Sequence, residues 1–236
     1  MKINELTPLI SDENIIYTSD PDRQLFIMKV YRTIWLELLY TISFISLSMK
    51  VKPINDFMTG DYGFGMLFLV FNLLIIQSCS LVCCMDKLRE KPYNYIYVCI
   101  FTILMSYFLF FFCYTVPNQS LLLAGTSTLF MFSGLSIYAW QTNIDYSTKG
   151  NYLLISLLLL LLLGFSNLFL RLTFIQILYP LLGVGLFSFY IIYDTQLILG
   201  RGTIKYKPDD YMIASINLYL DIINMFIYIL EMINGR

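Results

Sequence analysis

The chain has 236 residues, 58% of them hydrophobic and 13% charged, and a formal net charge of -1 at pH 7. So apolar a composition excludes an ordinary soluble domain and points to a protein that crosses a membrane several times. The near-zero charge gives no footing for nucleic acid, and with no histidine and all five cysteines in or beside apolar runs, the usual zinc and disulfide frameworks are excluded.

Residues 1–31 read as a polar cytosolic tail, in which Ser11, Asp12, Glu13, Asp20, Pro21 and Asp22 favour loop or disorder. Their polar, acidic character does not fit a cleavable signal peptide, so the first apolar span is expected to direct insertion. Residues 32–236 read as one transmembrane domain. Seven apolar spans are expected, at about residues 33–49, 64–85, 95–116, 121–140, 152–170, 174–199 and 213–233, each near the roughly 20 residues that cross a bilayer. Glu37 lies a turn inside the first span, where it either snorkels to the interface or faces a cavity. The stretch from Lys50 to Gly63 reads as a loop. Span four carries small and hydroxyl residues, among them Ala124, Gly125, Thr128, Ser133 and Gly134, which suit close helix packing in lipid. Gly183 and Gly185 in span six suggest a close approach or a bend.

Loop charge sets the orientation. With the N-terminus in the cytosol, eleven Lys and Arg residues fall on the cytosolic side and four on the other.

The last two spans concentrate the chemistry. Asp194 lies six residues before Gly200, where one apolar run ends, and Asp221 nine residues after Met212, where the next begins. At about 1.5 Å per residue both carboxyl groups lie roughly 9 to 13 Å into the membrane from the same side. A carboxylate at that depth costs about 2.5–3.5 kcal/mol on insertion scales, so it is expected to find a partner and to mark an ion or proton path. Two carboxyls in contact away from water cannot both ionise easily, and they titrate as a unit. Asp210, Asn217, Asp221, Asn224, Tyr228 and Glu231 fall on one stripe of the last helix. That span either crosses the bilayer or returns as a re-entrant hairpin.

The segments FIMKVYRTIWLELLYT, FSGLSIYAWQ, YIIYDTQLILG and DDYMIASINLYLDIINMFIYILE resemble the Bax inhibitor (lifeguard) family, closest to its Golgi anti-apoptotic branch. Together with residue usage typical of an AT-rich genome, the resemblance suggests a poxviral member. It implies an all-α polytopic membrane protein of seven helices with the last one central, residing in Golgi or endoplasmic reticulum membranes. It further implies suppression of apoptosis through a pH-sensitive leak of stored calcium, with Asp194 in YDTQ and Asp221 in LYLDIIN as a hydrogen-bonded gate that takes calcium transiently. Asp209 and Asp210 match an acidic loop motif of the family. Asn217, Asn224, Glu37 and Arg201 are counted as supporting polar positions. A basic residue of the second helix engages the gate in a bacterial relative, and span two here has no Lys or Arg. Lipid, calcium and other cations are the expected contacts, no cofactor is expected, and self-association is compatible with the reading.

Two other classes compete. A non-conducting adaptor would bind calcium-release channels or apoptosis regulators through faces such as that of span four. An intramembrane aspartyl protease would use Tyr193-Asp194, but Asp221 follows Leu218-Tyr219-Leu220 where such enzymes need Gly-x-Gly-Asp, so an enzyme is not expected.

Overall fold

A computed structural model describes residues 21–170 and 173–235, and among these the chain is helical with no strand. In chain order the helices are α1 (Pro21–Lys50), α2 (Lys52–Thr59), α3 (Asp61–Cys83), α4 (Met85–Leu88), α5 (Tyr93–Cys113), α6 (Asn118–Gln141), α7 (Gly150–Leu170), α8 (Thr173–Leu199) and α9 (Tyr211–Asn234). Short 3-10 turns at Ser147–Lys149 and Pro208–Asp210 precede α7 and α9. Six of the helices are long and apolar enough to cross a bilayer singly. A seventh is reached by counting α1 with α2, between which the axis bends by 94°. The described residues fall into two compact units, one of residues 32–121 and one built from residues 21–31 and the chain after 121.

Two expectations need correction at the start of the chain. The helix begins at Pro21, inside the stretch read as tail; residues 1–20 lie outside the described residues. Pro is favoured in a first helical turn because its missing N–H has no partner there, and Asp22 complements the dipole. Phe26 and Val30 then give this early turn an apolar face, buried at 2% and 0% exposure, which a polarity count across the segment obscures. The stretch from Lys50 to Gly63, read as a loop, contains α2. Pro53 opens it, Met58 faces inward, and Ile54 and Phe57 are exposed. Gly63 allows the turn into α3, since a Cβ there would collide with the backbone of Met58.

In the unit of residues 32–121, α3 packs on α5. Gln77 and Tyr97 exchange bonds, the amide donating to the Tyr97 carbonyl at 2.9 Å and the phenol to the Gln77 carbonyl at 2.6 Å. Phe64 lies against Phe111 and Phe71 against Phe108.

In the other unit α9 is the internal helix. Fifteen of its 24 residues are buried, whereas Leu160 is the one buried residue described in α7, whose leucine run is exposed as expected of lipid-facing filler. The re-entrant alternative for the last span does not hold, because α9 runs unbroken to a left-handed Gly235. Its length of about 36 Å exceeds the ~30 Å hydrocarbon thickness. Its closest partner is α8: a Cβ at Gly183 would enter the Tyr228 ring, which also stacks on Phe187 at 5.7 Å and meets the Tyr179 hydroxyl at 3.1 Å. Gly185, in contrast, has nothing within 4 Å. On α6 the small residues divide similarly. Ala124 and Thr128 are buried, while Ser133 and Gly134 are exposed, so only part of that face serves packing.

Candidate functional site: a buried carboxyl pair under a tethered loop

Asp194 and Asp221 are each 5% exposed and stand within side-chain hydrogen-bonding reach of each other. The matched depths read from the sequence therefore correspond to a meeting of α8 and α9. An ionised carboxylate only accepts hydrogen bonds, so a bond between the two requires a proton on at least one. Among the described residues no Lys or Arg pairs with either carboxyl, and Asp221 Oδ2 has no protein partner.

The third member of the site comes from the loop joining the two helices. The Tyr206 hydroxyl donates to Asp194 Oδ1 at 3.4 Å and accepts from Asn217 Nδ2 at 2.8 Å, so Asn217, Tyr206 and Asp194 form a chain of donors ending on the pair. Burial, and then the negative Asp194 beside it, push the Tyr206 phenol well above its usual range, with the Asn217 bond acting the other way. Tyr206 is therefore a neutral donor at any physiological pH.

The loop is held at two further points. Arg23, at the start of α1, donates from Nη1 to the Tyr206 carbonyl at 2.9 Å and from Nη2 to the Leu197 carbonyl, one of the terminal carbonyls of α8 that lack an intrahelical partner. Gly200 makes this possible twice over. Its φ of +69 ends α8 in the left-handed region, and a Cβ would stand 2.8 Å from Arg23 Nε.

The second tether is Asp145. Its Oδ1 accepts from Ser147 N at 2.9 Å and Ser147 Oγ at 2.6 Å; its Oδ2 accepts from Thr203 N at 3.1 Å and Thr203 Oγ1 at 2.8 Å. Beside it the Gln196 amide accepts from Tyr146 N at 2.7 Å and donates to the Ile144 carbonyl at 2.9 Å. Burial acts upward on the Asp145 carboxyl, but the bonds from Ser147 and Thr203 outweigh it and hold the group below its usual value of 3.8. A depressed carboxyl stabilises the folded loop above its unfolded value and ceases to do so as pH falls through the folded one. Amide exchange at Thr203 is therefore expected to stay slow down to about pH 4 and to accelerate only below it. Asp145→Asn should make exchange fast at neutral pH as well; equal protection in the variant contradicts the tether.

The other polar positions separate from the pair. Asp209 is exposed; Asp210 is buried and accepts from Lys207 N at 3.2 Å, closing the 3-10 turn ahead of α9. Arg201 lines a polar cleft with Thr142, Asn143, Ile144, Asp145 and Gln196. Asn224 donates to Leu220 of its own helix at 2.8 Å. Glu231, half-buried, stands about 15 Å along α9 from Asp221. Glu37 is 3% exposed, with Thr102 Oγ1 at 3.4 Å from its Oε1, so its carboxyl is packed inside the unit of residues 32–121. The four cysteines Cys79, Cys83, Cys84 and Cys99 are exposed, Cys113 is buried, and all five are free.

This arrangement defines a class, that of polytopic α-helical membrane proteins whose last two helices enclose a carboxyl pair. The chain belongs to the family described as "Inhibitor of apoptosis-promoting Bax1", whose family model matches residues 23–236. It is 24% identical over 218 residues to Protein lifeguard 3 of Mus musculus and 26% identical over 218 residues to Protein lifeguard 3 of Homo sapiens, each alignment covering 91% of this chain and 70% of the relative. With Protein LIFEGUARD 4 of Arabidopsis thaliana it shares 30% identity over 210 residues, 87% of this chain and 82% of that protein. It is accordingly a multi-pass membrane protein of an anti-apoptotic family.

Proposed function

We propose that this protein suppresses apoptosis from a Golgi or endoplasmic reticulum membrane, with its N-terminus cytosolic, by acting as a calcium-permeable leak that lowers stored calcium and opens when the Asp194–Asp221 pair loses its proton. The observation that carries the reading is the buried contact between two carboxyl groups that have no cationic partner among the described residues. With the proton in place the contact is a hydrogen bond that joins α8 to α9. Without it, two negative charges about 4 Å apart repel by about 4 kcal/mol at an effective dielectric of 20. That exceeds the roughly 1 kcal/mol supplied by a typical hydrogen bond such as those of Tyr206, so the charged pair parts its helices. The freed carboxylate oxygens and nearby carbonyls then offer a hard cation the ligands it prefers. Eleven of fifteen Lys and Arg residues on one side support the cytosolic placement of this end.

The purified chain in calcium-loaded liposomes tests the reading. Efflux that rises as the pH facing the pair is raised is the expected result. Liposomes that retain calcium at every pH would reject conduction in favour of an adaptor acting through other membrane proteins.

A further inference from the structure

Glu37 belongs to a second polar seam, within the unit of residues 32–121, that the Asp194–Asp221 site does not use. On α1, Glu37 and Thr41 lie one turn apart and are 3% and 2% exposed; on α5, Thr102 and Ser106 face them at 5% and 0%. Each hydroxyl has a backbone carbonyl close by. Thr41 donates to the Glu37 carbonyl at 2.8 Å, Thr102 to the Val98 carbonyl at 2.8 Å, and Ser106 to the Thr102 carbonyl at 2.6 Å, with Thr41 Oγ1 a further acceptor at 3.0 Å. Each of these hydroxyls thus has a main-chain carbonyl nearer than the carboxyl, and the bond from Thr102 to Glu37 Oε1 is a long one at 3.4 Å. Glu37 Oε2 is buried with no hydrogen-bond partner among the described residues. Helices α3 and α5 contain no Lys or Arg.

The seam is rich in acceptors around a carboxyl group and short of positive charge. Thr102 Oγ1 stands 3.4 Å from Glu37 Oε1, as long as the Tyr206 bond to Asp194, and its nearer acceptor is the Val98 carbonyl at 2.8 Å. The spacing also fits two oxygens at right angles around one hard cation, each about 2.4 Å from it, which stand about 3.4 Å apart. We propose that Glu37, Thr102, Thr41 and Ser106 form a binding site for a hard, oxygen-seeking cation, with the Glu37 carboxylate supplying the charge and the hydroxyl oxygens completing the shell. A buried carboxylate in a membrane helix needs a counter-charge, and here the ion itself provides it. The site stands whether or not the leak reading is correct.

Thermal unfolding of the full chain in detergent tests it, with calcium chloride or sodium chloride titrated against choline chloride at matched ionic strength. The expected result is a saturable rise in midpoint with calcium or with sodium, and whichever cation produces it identifies the occupant. In a background carrying both Asp194→Asn and Asp221→Asn, which removes cation binding at the pair, the rise should persist, and it should vanish when Glu37→Gln is added. Thr102→Val, which keeps the shape and removes one ligand, should raise the half-saturating concentration roughly tenfold, the size of one such polar interaction, and it decides the matter should Glu37→Gln not fold. No rise with either cation, a rise unchanged in Glu37→Gln and Thr102→Val, or one lost only in the Asp variants would overturn the assignment.

Discussion

Asparagine in place of Asp194 or Asp221 should flatten the pH dependence of calcium efflux. The side chain keeps the size of aspartate and its amide can donate to the remaining carboxyl, but it never carries a negative charge. The remaining carboxylate accepts from that amide with no proton between them, so two like charges never stand in contact and the repulsion of about 4 kcal/mol does not develop. Since 1.4 kcal/mol corresponds to a factor of ten, the repulsion can support up to about a thousandfold change in open population. The wild-type chain should therefore show at least a tenfold rise in efflux from acid to alkaline pH, and each Asn variant close to none. Variants that retain the rise would place the sensor elsewhere, for example at Glu231, which is half-buried on the same helix.

Replacing Arg23 by alanine should produce the largest loss of stability at the loop. Two charge-assisted bonds are removed at once, to the Tyr206 and Leu197 carbonyls, along with a cation stacked 4.6 Å above the Phe26 ring. Bonds to a charged group are worth about 1.5–3 kcal/mol when fully buried, and Arg23 is half-buried, so about 2 kcal/mol is expected in all. Lysine carries the charge but not the fork that reaches two carbonyls, and Arg23→Lys should recover about half. Because Tyr206 sits in the loop that Arg23 holds, efflux at acid pH should also rise in Arg23→Ala. A variant within about 0.5 kcal/mol of wild type, with unchanged efflux, would show that Arg23 does not tether the loop.

The pair was legible in the sequence because its signal is local. A single acidic residue in each of two long apolar runs stands out, and counting residues from the intervening loop gives its depth. Helix α9 was legible for the same reason, its polar residues recurring at helical spacing, although Asn224 turns out to bond its own backbone. Tyr206, Arg23 and Asp145 were not legible. Each acts across 12 to 183 positions of sequence, and each sits in a stretch whose polarity only marks it as lying outside the membrane. Tyr206 between Lys205 and Lys207 reads as an ordinary loop aromatic, and Arg23 as one of several charges. Asp145 two residues before Ser147 was the one available hint, since Asp commonly caps its own backbone in that pattern. The start of α1 is hidden in the sequence because Phe26 and Val30, spaced for a helix and buried, lie inside a segment that is polar on average.

In the proposed leak, one proton held between Asp194 and Asp221 keeps α8 and α9 together. Difference infrared spectroscopy of the reconstituted protein tests it most directly, by following the carbonyl stretch of protonated carboxyl groups as pH is raised. The expected result is a protonated-carboxyl band that disappears over the same pH range in which calcium efflux rises, and that is missing from both Asp194→Asn and Asp221→Asn. A band that persists in both variants, or that disappears with no change in efflux, would contradict it.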